Sequence, residues 1–306
     1  MPSGRKGSIH LFKFAGVDVF LHWSWFLVAI FEINARAGRY TSISWNVLEY
    51  LALFLIVLMH EFGHALACKQ VGGIADHIVL WPLGGVAYVN PPPRPGATLW
   101  SIVAGPLVNV ALLPILLLVV AFARTLGWGQ ANPNLATLLV AVLFINTALL
   151  IFNVLPIYPL DGGQILRALL WFPLGRARSL MIATLLGFVG VAAFLFFAFR
   201  SGSIWFGALG LFMLLNCWGG LKHSLALLQL AKVPRREGFV CPCCNSSPPL
   251  GNVWTCPGCH TKFDTFETQG VCPHCTSHFP VTPCLDCGRA YPIGEWSTPA
   301  LVAGRV

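Results

Sequence analysis

His60-Glu61-Phe62-Gly63-His64 puts two imidazoles and a carboxylate within five residues of an apolar stretch. On an α-helix, positions i and i+4 share a face, so His60 and His64 can both reach one zinc ion while Glu61, a turn away, faces the water the metal holds. Surface helices carry such pairs by chance, but near the middle of a membrane-spanning helix these residues are expensive to leave unpaired, which favours a metal site. Catalytic zinc generally takes three protein ligands and keeps one position open, so a third ligand is needed. Asp161 is the candidate, preceded by Asn153-Val154-Leu155-Pro156-Ile157-Tyr158-Pro159-Leu160 and followed by Gly162-Gly163. The prolines and glycines break the helix there, and broken backbone at membrane depth is tolerated where it lines a cavity or is buried in protein. A second reading makes Asp161 and Gln164 a capping box at the start of a helix. The rival acids are Glu32, Glu49 and Asp76, the first two near the opposite membrane face. Asn153 is placed to hydrogen-bond a substrate backbone near a developing oxyanion, with helix-to-helix glue as its other role. Asn109 and Asn146 read as glue, and His22 as a core histidine that could neighbour the site.

A second set of ligand types lies near the C-terminus. Nine of the eleven cysteines fall between 241 and 287, and eight form C-x-x-C pairs: Cys241/Cys244, Cys256/Cys259, Cys272/Cys275 and Cys284/Cys287. Two pairs make one closed tetrahedral site, so the spacing predicts two structural zinc ions in a reducing compartment. Sequential pairing is the simplest arrangement, and interleaving is the alternative. Cys68, Cys217 and Cys243 are left over.

The elements that must hold these residues are membrane helices. Hydrophobic residues make up 56% of the 306 and charged residues 10%, against roughly 45–50% and about 25% in ordinary globular domains. Mean hydropathy is +0.72. Six apolar stretches of about 20 residues or more, near 17–35, 45–70, 98–124, 135–155, 178–199 and 203–229, are long enough to cross a bilayer. Alternate loops hold twelve Lys and Arg on one side and four, Arg36, Arg39, Arg124 and Arg200, on the other. Positive residues stay inside, so both termini are expected in the cytoplasm and the cell membrane is the expected location. The net charge of +8 then needs no nucleic acid to explain it. Arg5, Lys6, the apolar run and Ala35-Arg36-Ala37 loosely imitate a cleavable signal peptide, but Asp18 and His22 interrupt it. The expected organisation is an all-α membrane domain over 1–230, a polar linker over 231–238, a double zinc ribbon over 239–292 and a tail over 293–306. The ribbon looks too poor in apolar residues to fold without metal.

An H-E-x-x-H in one apolar helix and an N-x-x-P-x-x-P-L-D-G in a later one resemble the site-2 proteases, zinc metalloproteases that cut substrates within the membrane. Weaker likenesses lie at Leu21-His22-Trp23-Ser24, Pro82-Leu83-Gly84-Gly85 and Ala104-Gly105-Pro106-Leu107-Val108-Asn109. The resemblance implies that His60, His64 and Asp161 hold the catalytic zinc, that Glu61 is the base, and that the site opens to the cytoplasm. Asp161 lies 97 positions after His64, an interval that must hold two spans and leaves no room for the PDZ domain some members carry. The chain is closest to the compact six-helix branch related to sporulation proteases, with the Cys-rich segment where a CBS domain is common.

A helical substrate has every backbone amide bonded, so it must be extended before attack. Ile78-Val79-Leu80-Trp81 and Val86-Ala87-Tyr88-Val89 flank Pro82-Leu83-Gly84-Gly85, consistent with a re-entrant hairpin whose free edge takes the substrate as an added strand; an ordinary loop is the alternative. The expected partners are a transmembrane protein substrate of the membrane-tethered regulatory kind, the bilayer, and a cytoplasmic protein docked on the ribbons. Few basic residues in the tail, Lys262 and Arg289 among them, argue against nucleic acid there. The competing function is a non-catalytic scaffold presenting the ribbons, against which the intact Glu61 stands. A metal transporter would need more polar residues along a path.

Overall fold

The computed structural model describes residues 7–36, 38–81 and 84–296; Arg5, Lys6, Ala37, Pro82, Leu83 and the tail from 297 onward lie outside them. The chain starts with a hairpin of β1 (Ser8–Phe14) and β2 (Val17–His22), followed by α1 (Ser24–Ala35) and α2 (Ile43–Gln70), then a second hairpin of β3 (Ile74–Trp81) and β4 (Gly84–Asn90). After it come α3 (Pro95–Thr125), the single turn α4 (Trp128–Ala131), α5 (Pro133–Val154), α6 (Asp161–Ser201) and α7 (Ile204–Lys232). The strands form one sheet in the order β1-β2-β3-β4, with β2 and β3 parallel and the other pairs antiparallel.

Among the described residues, five helices, α2, α3, α5, α6 and α7, are long and apolar enough to cross a membrane. The first expected span is corrected: over 17–35 the chain divides into β2 and the 12-residue α1, about 18 Å long and short of a 30 Å hydrocarbon core by itself. Val17 and Val19 are β-branched, and β3 offers them a parallel partner. With Ile78 and Leu80 they form a sheet face buried against Val57, Leu58, Ala65 and Cys68 of α2. Half of the most apolar window of α2 is buried, against 11–28% in the other four long helices, so α2 is the central element. The expected hairpin at 74–89 is present, and it belongs to a larger sheet.

Helix boundaries follow local chemistry. Pro133 opens α5 with the Asn132 side chain accepting from the Leu135 amide at 3.1 Å. Within α6, Gly175 (φ 77°, ψ 171°) interrupts the helical backbone after Pro173. The two halves fold back on each other: Gly187 and Gly190 of the second lie against Tyr158 and Ile157, just before the first begins.

The chain divides into two compact units, Met1–Ser224 and Leu225–Val306. In the second, β5 (Trp254–Thr255) pairs with β6 (Lys262–Phe263), and β7 (Thr282–Pro283) with β8 (Ala290–Tyr291). The expectation of a coreless ribbon is corrected. Trp254, Phe263, Phe266 and Trp296 are buried among the cysteines, the last from beyond the expected ribbon end at 292. Residues read as linker also join this unit: Arg235 pairs with Asp286, and Arg236 with the buried Asp264.

Candidate metal centres

Helix α2 carries His60, Glu61 and His64 on its buried face, and α6 brings Asp161 to them at its first residue. Asp161 Oδ2 lies 2.9 Å from His60 Nε2 and 3.4 Å from His64 Nε2, and the two Nε2 atoms are 3.1 Å apart. Each imidazole is turned by its other nitrogen. His60 Nδ1 donates to Asn109 Oδ1 at 2.6 Å, and His64 Nδ1 donates to the Ser101 carbonyl at 2.9 Å. Both Nδ1 protons are therefore committed, which leaves the Nε2 lone pairs for a metal. The donor chemistry and convergence of these atoms fit zinc.

The capping-box reading of Asp161 finds no support in the geometry. Gln164 donates to the Pro159 carbonyl, the residue before the first turn makes no side-chain cap, and the Asp161 carboxylate faces the histidines. The rival acids are engaged elsewhere or exposed: Glu32 pairs with Arg36, the buried Glu49 with Arg36, Arg39 and Tyr40, and Asp76 is exposed on β3. His22 stacks on Trp81 and bonds Ser24, a structural role.

Glu61 Oε2 accepts the Ala87 amide of β4 at 2.9 Å. This N–H points away from β3, on the free edge of the sheet, so the carboxylate sits between that edge and the histidine pair. A cavity of about 1030 Å³ opens there, lined by His60, Glu61, His64, Asp161, Asn153 and Ala87 among others. Its remaining walls are largely apolar, including Phe144 and Leu149 of α5 and Leu209 and Met213 of α7.

Three supports were missed or only half read in the sequence. Asn109 does join helices, donating to Asn146 at 2.8 Å, but its oxygen also holds His60. Its place in Ala104-Gly105-Pro106-Leu107-Val108-Asn109 was the available signal. Gly85 and Gly105 make room: a Cβ at 85 would fall 2.3 Å from Glu61 Cγ, and one at 105 would fall 2.3 Å from His64 Nε2 and 2.8 Å from His60 Nε2. Gly105→Ala should thus displace the imidazoles and lower the metal content of the membrane unit, read by elemental analysis. Gly207→Ala, where a Cβ meets nothing within 4 Å, should not change it.

The cysteines form two groups, and their pairing is nested, which corrects the sequential expectation. Cys241, Cys244, Cys284 and Cys287 make one group, and Cys256, Cys259, Cys272 and Cys275 the other. The chain between Cys256 and Cys275 closes on itself, while Trp254 donating to the Pro283 carbonyl and Thr265 bonding Thr282 draw the outer pairs together. Sulfur separations of 3.5 to 3.7 Å match the edges of about 3.8 Å in a tetrahedron with 2.3 Å zinc–sulfur bonds. All four pairs share one turn. The amide of the residue four after the first Cys donates back to that Cys, and Asn245, His260, Thr276 and Gly288 hold positive φ there.

Comparisons with known proteins group the chain with metalloproteases. Residues 127–197, which include Asn153 and Asp161, match the model of peptidase family M50. Zinc metalloprotease MJ0392 of Methanocaldococcus jannaschii is 37% identical over 182 residues, 59% of this chain and 50% of that one. Stage IV sporulation protein FB of Bacillus subtilis is 34% identical over 146 residues, 45% of this chain and 46% of that one. The solved structure of a site-2 protease from Methanocaldococcus jannaschii superposes with a TM-score of 0.51 at 30% identity, covering 70% of this chain and 95% of that one. The chain spans about half the length of the two curated relatives.

Proposed function

Because the chain belongs to the site-2 protease family, we propose that it is a zinc-dependent intramembrane endopeptidase that hydrolyses a peptide bond within or near a transmembrane segment of a membrane-tethered regulatory protein. The observation that carries the reading is the convergence of His60, His64 and Asp161 beside Glu61 at the head of an apolar cavity. His60, His64 and Asp161 would hold the catalytic zinc. When bound, zinc supplies Lewis acidity, polarising a carbonyl and making water available as a nucleophile near neutral pH.

The chain's own residues do the rest. Asn109 and the Ser101 carbonyl fix both imidazoles with Nε2 toward the metal position. The apolar walls keep bulk water from a substrate segment, which strengthens every polar contact inside. The free edge of β4 can pair with an extended substrate strand. Such a strand competes for the Ala87 amide and releases the Glu61 carboxylate toward the reacting atoms. Glu61 then takes a proton from the attacking water and delivers it to the leaving amine. Asn153 donates to the substrate backbone near the developing oxyanion.

The two cysteine groups would hold one structural zinc each, for three zinc ions per chain with the catalytic one. Elemental analysis should read three in the full chain, two when Cys256 and Cys259 are both replaced, and one in a chain ending at Arg236. A truncated chain without zinc would refute the membrane site. The ribbon unit serves as a docking or regulatory module for a cytoplasmic protein. Both termini lie in the cytoplasm of the cell membrane, a reading supported by the charge count and by the parallel β2–β3 pair, which places the chain before α1 and after α2 at one level. A reporter fused after Val306 that matures only in an oxidising outer compartment should stay inactive. The activity itself is tested by co-expressing the chain with membrane-tethered transcription regulators and following their cleavage.

A further inference from the structure

The turn that divides α6 carries charges the proposed protease chemistry does not use. Arg167 sits on the first half, Arg176 opens the second, and His223 comes from α7. The three are close enough to feel one another's charge, and Tyr158 adjoins Arg167. The Nε atoms of Arg167 and Arg176 are both buried without a hydrogen-bond partner. Among the described residues, the acids of this unit leave them no counter-ion. Asp18, Glu32 and Glu49 are paired with other cations, Glu61 and Asp161 are in the metal centre, and Asp76 is on β3.

Half-buried guanidinium groups without an acceptor are costly, so the arrangement calls for one from outside the chain. The backbone adds to the demand. After Gly175 the backbone turns helical again, with Arg176 and Arg178 in the first turn and no acid there; a helix start leaves its first amides without partners inside the helix. A helix N-terminus favours negative charge, and cations alone at that end are unfavourable. One anion would satisfy the amides and the arginines together. The guanidinium fork matches phosphate oxygens in bidentate fashion. At the same turn Trp171 packs under Arg176, 5.9 Å from ring centre to guanidinium carbon, and Phe172 is 60% exposed. Aromatic rings of this kind gather at headgroup level.

The geometry points to a binding site for a phosphate-bearing anion at this turn, formed by Arg167, Arg176 and the helix start at 176, with His223 at its rim. The placement at a membrane interface rests on the membrane reading above, whereas the demand for an anion rests on the unpaired arginines alone. Bound there, the anion would tie together both halves of α6, the helix that begins with Asp161.

The test uses the full chain, delipidated in a neutral detergent, and its melting temperature with added short-chain phosphatidylglycerol, short-chain phosphatidylcholine or inorganic phosphate. Phosphatidylglycerol should raise the melting temperature while phosphatidylcholine does not. A rise with inorganic phosphate as large as that with phosphatidylglycerol would assign the site to a free phosphate compound. Arg176→Gln should weaken the stabilising anion by about tenfold or more, the loss expected for a charge-assisted hydrogen bond. Arg176→Lys should retain part of the affinity, and Arg178→Ala, outside the unpaired cluster, should retain more than Arg176→Gln. Equal responses to phosphatidylglycerol and phosphatidylcholine, or no response to either anion, would overturn the proposal without reference to any variant. Zinc content and substrate cleavage are read separately, so a failed protease assignment would not be mistaken for a failed anion site.

Discussion

Glu61→Gln is expected to leave the fold and the zinc content intact and to cut cleavage by about 10²- to 10⁴-fold, the range contributed by a positioned general base. Gln keeps the length and the hydrogen-bonding capacity of the side chain, so its amide oxygen can still accept the Ala87 amide of β4. What it loses is the ability to take a proton. The variant should therefore elute as the native chain does, bind the same metal, and retain uncleaved substrate. Proteolysis at the native rate would remove Glu61 from the mechanism.

Asp161→Ala should empty the membrane unit of zinc. Two imidazoles with no third ligand hold zinc poorly, and the Asp161 carboxylate is the group that closes on both Nε2 atoms. The alternative role, a helix cap, would leave zinc in place and cost about 1 kcal/mol of stability. Elemental analysis together with a melting curve separates these outcomes. A chain that keeps its full zinc complement and merely melts earlier would refute the ligand assignment. Because both histidines donate from Nδ1 to neutral acceptors, Asn109→Leu should act in the same direction but more weakly, by 10- to 100-fold in metal affinity, typical of lost outer support.

The chemistry was legible in the sequence because it is local or costly. His60, Glu61 and His64 share a helix turn, and Asp161 stood out as an acid among prolines and glycines in an apolar region. The cysteine pairs were equally plain, since each C-x-x-C forms its own turn. Their nested grouping was not, because which pairs meet is decided by contacts such as Trp254 with Pro283, far apart in the chain. Length and hydropathy found the long helices. They misread 17–22, where an apolar run of the right composition becomes a strand only because β3, more than fifty residues later, supplies its partner. Gly85 and Gly105 stood within the weaker family likenesses, but their role was hidden, since what each makes room for, the Glu61 and histidine side chains, lies on a different element. Asn109 was visible as a polar residue in an apolar helix, but its hold on His60 depends on how α2 and α3 cross.

The most direct measurement reconstitutes the purified chain in vesicles with a tagged substrate spanning the bilayer once and maps the products by mass spectrometry. New termini inside or at the edge of the apolar segment, formed with zinc present, lost on chelation of the membrane-unit metal and absent with Glu61→Gln, are the expected result. Products whose termini all lie in soluble flanking sequence, or cleavage that persists unchanged in Glu61→Gln, would contradict it.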